Sequence, residues 1–239
     1  MSPIDANLQA VRRRISEALQ GDRRAITLVA VSKSRGPEAI RAAFAAGCRD
    51  FGESYAQEAL PKIDALRELA VTWHFIGHVQ GNKARDIAQR FDWVHGVDRP
   101  KIARALSNAR AGRDPLDVCI QVNISREATK GGVAPAEAKA LARDVAALPH
   151  LTLRGVMGMA SPTTDRARQR REFRELHAVF DELTAAGHPV DTLSMGMSDD
   201  LESAIAEGAT MVRVGTAIFG ARLPSPRPSP KGEGAHCRS

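Results

Sequence analysis

The sequence predicts an α/β fold, a single (β/α)8 TIM barrel, on three observations. Eight short β-branched or apolar runs are spread along the 239 residues, most of them followed by a helical pattern. Such βα alternation implies a parallel sheet, either closed into a barrel or open and doubly wound. The segments that look chemical, VSKS, GES, GHVQ, SMGMS and VRVGT, end strands from all along the chain. Closure brings them to one face, whereas an open sheet collects fewer at its switch point. No G-x-G-x-x-G follows the first strand and no G-x-x-x-x-G-K-[ST] occurs, so dinucleotide and P-loop readings have no support.

The elements follow in order. Asp5 to Leu19 reads as an amphipathic helix ahead of the first strand, expected to pack over an end or side of the barrel. The expected strands are Ile26 to Ser32, Asp50 to Glu53, Trp73 to Val79, Trp93 to Val97, Val118 to Ile124, Leu153 to Met159, Thr192 to Met197, and Met211 to Phe219. Helical segments lie between them with Gly and Pro punctuation. In the first, Pro37 suits a first turn, Ile40, Ala43 and Phe44 share a face, and Gly47 stops the helix.

With 43% apolar and 26% charged residues the chain fits one large domain with a substantial core, although two small domains would also fit. We expect residues 1–220 to form the barrel with its N-terminal helix. Residues 221–239 are rich in Pro, Ser and Gly and are expected to be disordered. No apolar run is long enough to span a bilayer, and the arginines near the start lie inside a helical pattern rather than before an apolar segment. A soluble, unexported, cytoplasmic protein is expected. Cys48, Cys119 and Cys237 are widely separated and odd in number, which argues against a disulfide framework or a zinc site and for a reducing compartment. Of the formal charge of +6, half lies in the last nineteen residues, where Arg222, Arg227, Lys231 and Arg238 outnumber Glu233. What remains is unremarkable for a barrel, and aromatic residues are too scarce for base-stacking platforms.

The candidate chemistry starts with Lys33, which ends the first strand in LVAVSKSRG and can point an amine into the barrel mouth. A strand-end lysine by itself is most often a solvated charge. Low-dielectric walls and neighbouring cations lower a lysine pKa, which is what imine formation with an aldehyde requires. Ser198 is read as the N-cap of the helix after strand seven, where free N–H groups and a hydroxyl can hold an anion. Gly215 permits close backbone approach and Thr216 offers a hydroxyl, and the loops after strands seven and eight are a frequent phosphate site in this fold. Asp199 and Asp200 would repel a phosphate if they turned inward, so they are expected on the solvent side, complementing the helix dipole. Arg213 shares the face of Gly215 on a strand and, if it points inward, reaches a cofactor ring held between Lys33 and the phosphate groups. His74 and His78 have helical metal-pair spacing but fall in a strand-like segment, where they sit about 13 Å apart, so no metal site is expected.

Four segments, Trp73 to Lys83 (WHFIGHVQGNK), Val122 to Gly132 (VNISREATKGG), Gly155 to Met159 (GVMGM) and Leu193 to Gly220, resemble the pyridoxal phosphate homeostasis protein family, in that family's order. The resemblance covers roughly Ala6 to Gly220. It implies a single barrel similar to the N-terminal domain of alanine racemase, with pyridoxal phosphate (PLP) carried on the lysine that matches Lys33. It also implies phosphate and pyridine contacts from Ser198, Gly215, Thr216 and Arg213, a pair after strand two at Ser54 and Tyr55, and Met195 close to the cofactor. One departure is Ser54, where the family usually has asparagine; serine is shorter and lacks the amide donor. The implied function is PLP homeostasis, as a carrier or regulator whose partners are PLP and apo PLP enzymes. A PLP-dependent amino-acid racemase is the alternative, but racemisation needs a second base on the opposite face. In alanine racemases that base comes from an added β domain and a partner subunit, and here only the tail follows strand eight. A nucleic-acid binder rests on net charge alone; no nucleic-acid or membrane partner is expected, and the chain is expected to be a monomer.

Overall fold

A computed structural model describes residues 2–127 and 130–221. The expected tail lies outside the described residues beyond Ala221. Among those described, eight parallel strands close in sequence order into a barrel: β1 (Thr27–Val31), β2 (Asp50–Glu53), β3 (Thr72–Phe75), β4 (Trp93–Val97), β5 (Leu116–Val122), β6 (Leu151–Gly158), β7 (Thr192–Ser194) and β8 (Met211–Val214). Closure is made by β8 on β1, with Thr27 opposite Met211 and Ala30 opposite Val214.

The outer helices are α2 (Pro37–Ala45), α3 (Ala56–Ala65), α4 (Ala84–Arg90), α5 (Pro100–Arg110), α6 (Ala138–Ala146), α7 (Arg166–Ala185), α8 (Leu201–Ala206) and α9 (Thr216–Phe219). They bury apolar faces against the strands, with Phe51, Phe75, Phe91 and Phe173 among the largest fully buried side chains. The additional helix α1 (Pro3–Leu19) starts at Ser2, whose hydroxyl accepts from the Asp5 N–H, and has proline in its first turn. Its buried face of Leu8, Val11 and Ile15 packs beside α2, α8 and α9, on the flank of the barrel next to the closing strand.

Several strands are shorter than their apolar runs suggest. The expected strand Met211 to Phe219 divides at Gly215: β8 stops at Val214 and Thr216–Phe219 forms one helical turn that buries Ile218. Strand seven leaves the sheet after Ser194, and Gly196 takes a left-handed φ of 93°. β3 ends at Phe75, so His78 lies beyond the strand. In each case a glycine or a buried apolar residue after the strand mimics its continuation, because a single apolar run cannot tell strand from turn. At Gly155 close strand approach excludes any side chain, since a Cβ there would stand 1.8 Å from the Thr192 carbonyl oxygen.

Candidate functional site

The carboxyl ends of the strands surround a cavity of about 220 Å³. Lys33, Ser198, Arg213, Gly215 and Thr216 all line it, together with Ser54, Met159, Met197 and Asp199. Six of the eight residues singled out in the sequence, Ser54 among them, are therefore brought together by β1, β8 and the loops after β2 and β7. The other two are elsewhere. Tyr55, 63% exposed, stands beside a neighbouring depression lined by His78 and Lys83. Met195 is fully buried and is not part of the cavity wall.

Lys33 sits on a braced strand end. The Ser32 hydroxyl donates to Glu53 Oε1 (2.6 Å), and the Ser32 carbonyl accepts from Lys62 Nζ (3.0 Å). Lys62 also donates to Glu53 Oε1 (2.8 Å) and Glu58 Oε1 (2.6 Å). Ser34, in the left-handed conformation at φ 63°, donates its N–H to Glu58 (2.5 Å). A non-glycine residue in that conformation persists only when its surroundings hold it there. Glu53 is fully buried, and burial raises its carboxyl pKa against the opposing pull of Lys62 and Ser32. The sequence carried only a weak signal for this brace, the i,i+4 spacing of Glu58 and Lys62 on α3.

Arg213 is buried, with NH1 donating to Ser194 Oγ (2.6 Å) and NH2 to the Gly158 carbonyl (3.0 Å). Its guanidinium reaches across β7 to β6, so it lies on the inner face of the barrel. Burial pushes its pKa down to about 10, opposed by the charge of Asp200, and it remains a cation at neutral pH.

The loop after β7 differs from expectation. Ser198 is not a helix cap: α8 begins at Leu201, and Asp200 occupies the cap position with Oδ1 accepting from the Met197 N–H (2.5 Å). The Ser198 hydroxyl instead accepts from the Ala217 N–H in α9 (3.5 Å). On the other side, Arg14 of α1 donates to the Ser198 carbonyl (2.9 Å) while pairing with Glu202. The expected solvent position of both aspartates is corrected too. Asp200 is 7% exposed and serves as a counter-charge to Arg213, while Asp199, although exposed, lines the cavity. The physical reason is that a buried guanidinium demands a nearby anion more strongly than a short helix demands an acidic first turn.

His74 and His78 do not converge. His74 is fully buried against Asp50 and His95, and His78 is exposed beside Asp98.

A closed barrel whose mouth combines a strand-one lysine, a buried strand-eight arginine and two hydroxyls after strands seven and eight is a single-domain barrel of the alanine racemase N-terminal type. The family model described as "Alanine racemase, N-terminal domain" matches residues 3–223. The chain is 54% identical to the pyridoxal phosphate homeostasis protein of Pseudomonas aeruginosa, covering 93% of this chain and 97% of that one. It is 49% identical to the protein of the same name from Escherichia coli K12, over 93% and 98% of the two chains. The solved structure of PipY from Synechococcus elongatus with PLP bound superposes with a TM-score of 0.80 at 36% identity, covering 91% of this chain and all of that one. The chain belongs to the pyridoxal phosphate homeostasis protein family.

Proposed function

We propose that this chain binds PLP in the mouth of the barrel, covalently on Lys33, and acts in intracellular PLP homeostasis as a carrier or regulator. The observation that carries the reading is the convergence of Lys33, Arg213, Ser198 and Thr216 on one cavity. The donor set fits the group: an amine for the aldehyde, hydroxyls and the Gly215 backbone for the phosphate, and a buried cation for the ring nitrogen, while Asp199, exposed on the same wall, opposes the phosphate charge.

When bound, PLP supplies an aldehyde that condenses with amines and a ring that withdraws electrons. The brace of Ser32, Glu53, Glu58 and Lys62 fixes the strand end from which the Lys33 amine acts. Ser198 and Thr216 would hold the phosphate end with their hydroxyls. Arg213, held protonated, could only donate to the ring nitrogen, so it would leave that nitrogen without a proton and limit electron withdrawal. This favours holding over turnover. Met159 and Met197 supply an adaptable apolar wall.

The finer expectations belong to the same reading. Among the described residues no helix is long and apolar enough to cross a membrane. Cys48 and Cys119 are free thiols, which suits the reducing cytoplasm. We take apo PLP enzymes as recipients and the monomer as the working form.

The test is borohydride reduction of the PLP-loaded protein followed by peptide mass mapping. A visible absorbance band should be lost and a pyridoxyl label should appear on Lys33. Label on Lys83 or Lys130 instead would show that another lysine forms the bond.

A further inference from the structure

The interior of a (β/α)8 barrel is ordinarily filled by branched apolar side chains. In this chain a line of polar side chains runs through it. Arg213 (β8) contacts Ser194 (β7) at 2.6 Å, Ser194 contacts His95 Nδ1 (β4) at 2.9 Å, His95 Nε2 contacts His74 Nδ1 (β3) at 3.0 Å, and His74 Nε2 contacts Asp50 Oδ1 (β2) at 3.0 Å. Strands four and seven are not neighbours in the sheet, so the His95–Ser194 contact must cross the barrel interior. The four inner members, Ser194, His95, His74 and Arg213, are all buried. Asp50 opens β2 at the end opposite the mouth, and its side chain is 28% exposed.

The chemistry of the ends fixes the direction of the line. An ionised Asp50 only accepts, so His74 Nε2 carries a hydrogen. With His74 neutral, its Nδ1 accepts, which makes His95 Nε2 a donor and His95 Nδ1 an acceptor. The Ser194 hydroxyl then donates to His95, and its oxygen accepts from Arg213. In this arrangement every hydrogen has an acceptor. Desolvation by burial holds the His95 pKa well below its ordinary range. The opposite arrangement, with a cationic His74, would aim the His95 and Arg213 hydrogens together at Ser194 Oγ. It would leave the serine hydrogen without an acceptor among the described residues. Trp93 stacks on His74 at 5.5 Å and closes that ring off on one face.

We propose that Ser194, His95, His74 and Asp50 are positioning residues for Arg213, a one-way hydrogen-bond relay through the barrel that runs from Asp50 at its floor and polarises the acceptor facing the guanidinium at the mouth. Each polarised link makes the next oxygen or nitrogen a better acceptor. Ser194 is thereby a stronger partner for Arg213 than an isolated hydroxyl would be, and the fork is fixed between Ser194 and Gly158. Its importance to the ring nitrogen of PLP rests on the function proposed above; the relay itself does not.

The experiment therefore uses the PLP-free full chain. Nitrogen-15 NMR of the histidine side chains should show His74 and His95 neutral, each with hydrogen on Nε2. A His95 with hydrogen on Nδ1, or a cationic His74, would overturn the relay. Exchange of the Arg213 guanidinium hydrogens with water should quicken by about tenfold or more in Ser194→Ala, the loss of one charge-assisted hydrogen bond. It should return toward wild type in Ser194→Thr, which keeps the hydroxyl. Asp50→Asn should also quicken exchange, although it alters the far end of the barrel. Arg213 exchange unchanged in both Ser194→Ala and Asp50→Asn would overturn the proposal, whatever happens to the melting temperature. The PLP arm is read separately: a shifted visible band in PLP-loaded Asp50→Asn shows that the relay reaches the cofactor. A chain that never takes up PLP would sink the functional reading while leaving the NMR outcome to decide the relay.

Discussion

Replacing Lys62 by methionine removes the cation of a buried cluster while keeping an apolar stem of similar length. Lys62 Nζ contacts Glu53 Oε1 at 2.8 Å, Glu58 Oε1 at 2.6 Å and the Ser32 carbonyl at 3.0 Å. Glu53 is fully buried, and its second carboxylate oxygen already has no hydrogen-bond partner. The variant leaves that charge buried with only the Ser32 hydroxyl in support. Breaking one side of a buried pair costs about 3–5 kcal/mol. At about 2–4 °C per kcal/mol for a domain of this size, the melting temperature should fall by about 6–20 °C. The loss should also depend on pH. Burial raises the Glu53 pKa and Lys62 lowers it, so removing Lys62 raises the folded-state value further. A carboxyl whose folded pKa exceeds its unfolded value binds its proton more tightly when folded. Its contribution to stability is therefore present below the unfolded pKa and declines as pH rises through the folded one. The deficit relative to wild type should be smaller near about pH 5 than near about pH 8. Thermal melts at the two pH values test this, and the double variant Lys62→Met/Glu53→Gln should recover part of the loss. A fall under about 2 °C, or one equal at both pH values, would refute the reasoning.

Other outcomes follow from the site. Lys33→Ala should decolour the PLP complex and weaken it by about tenfold or more, while Ser198, Gly215 and Thr216 still permit noncovalent binding; titration with PLP measures both. Saturated with PLP, the wild-type chain should exchange α-hydrogens of common amino acids negligibly in deuterated water, because Arg213 restrains the electron withdrawal of the ring nitrogen. Lys33-dependent exchange with racemisation at about 1 to 1,000 per second would instead establish a racemase. Gly155→Ala should cost about 3 kcal/mol or more, seen by denaturant unfolding, since the added Cβ would press on the Thr192 carbonyl oxygen that β6 needs close by.

How much was legible in the sequence differs between fold and site. Local pattern alone gave the eight strands in order, the amphipathic N-terminal helix and the parallel arrangement, because apolar periodicity and Gly or Pro punctuation are local properties. The same locality blurred the strand ends: the GTAIF run was indistinguishable from strand until a buried Ile218 turned it into α9. At the site, Lys33, Ser198, Arg213, Gly215 and Thr216 stood out because strand-end residues of a closed parallel sheet share one face. Tyr55 and Met195 entered through family resemblance, and the structure sets them outside the cavity wall. Only tertiary structure decided that Asp200 is buried where its charge supports Arg213, that Lys62 of α3 braces the strand bearing Lys33, and that His74 and His95 join one line of hydrogen bonds. The physical reason is that these roles depend on pairings such as Ser194 with His95, 99 residues apart. Periodicity states which face a side chain occupies, whereas the charge or hydrogen that meets it across the barrel is set by closure.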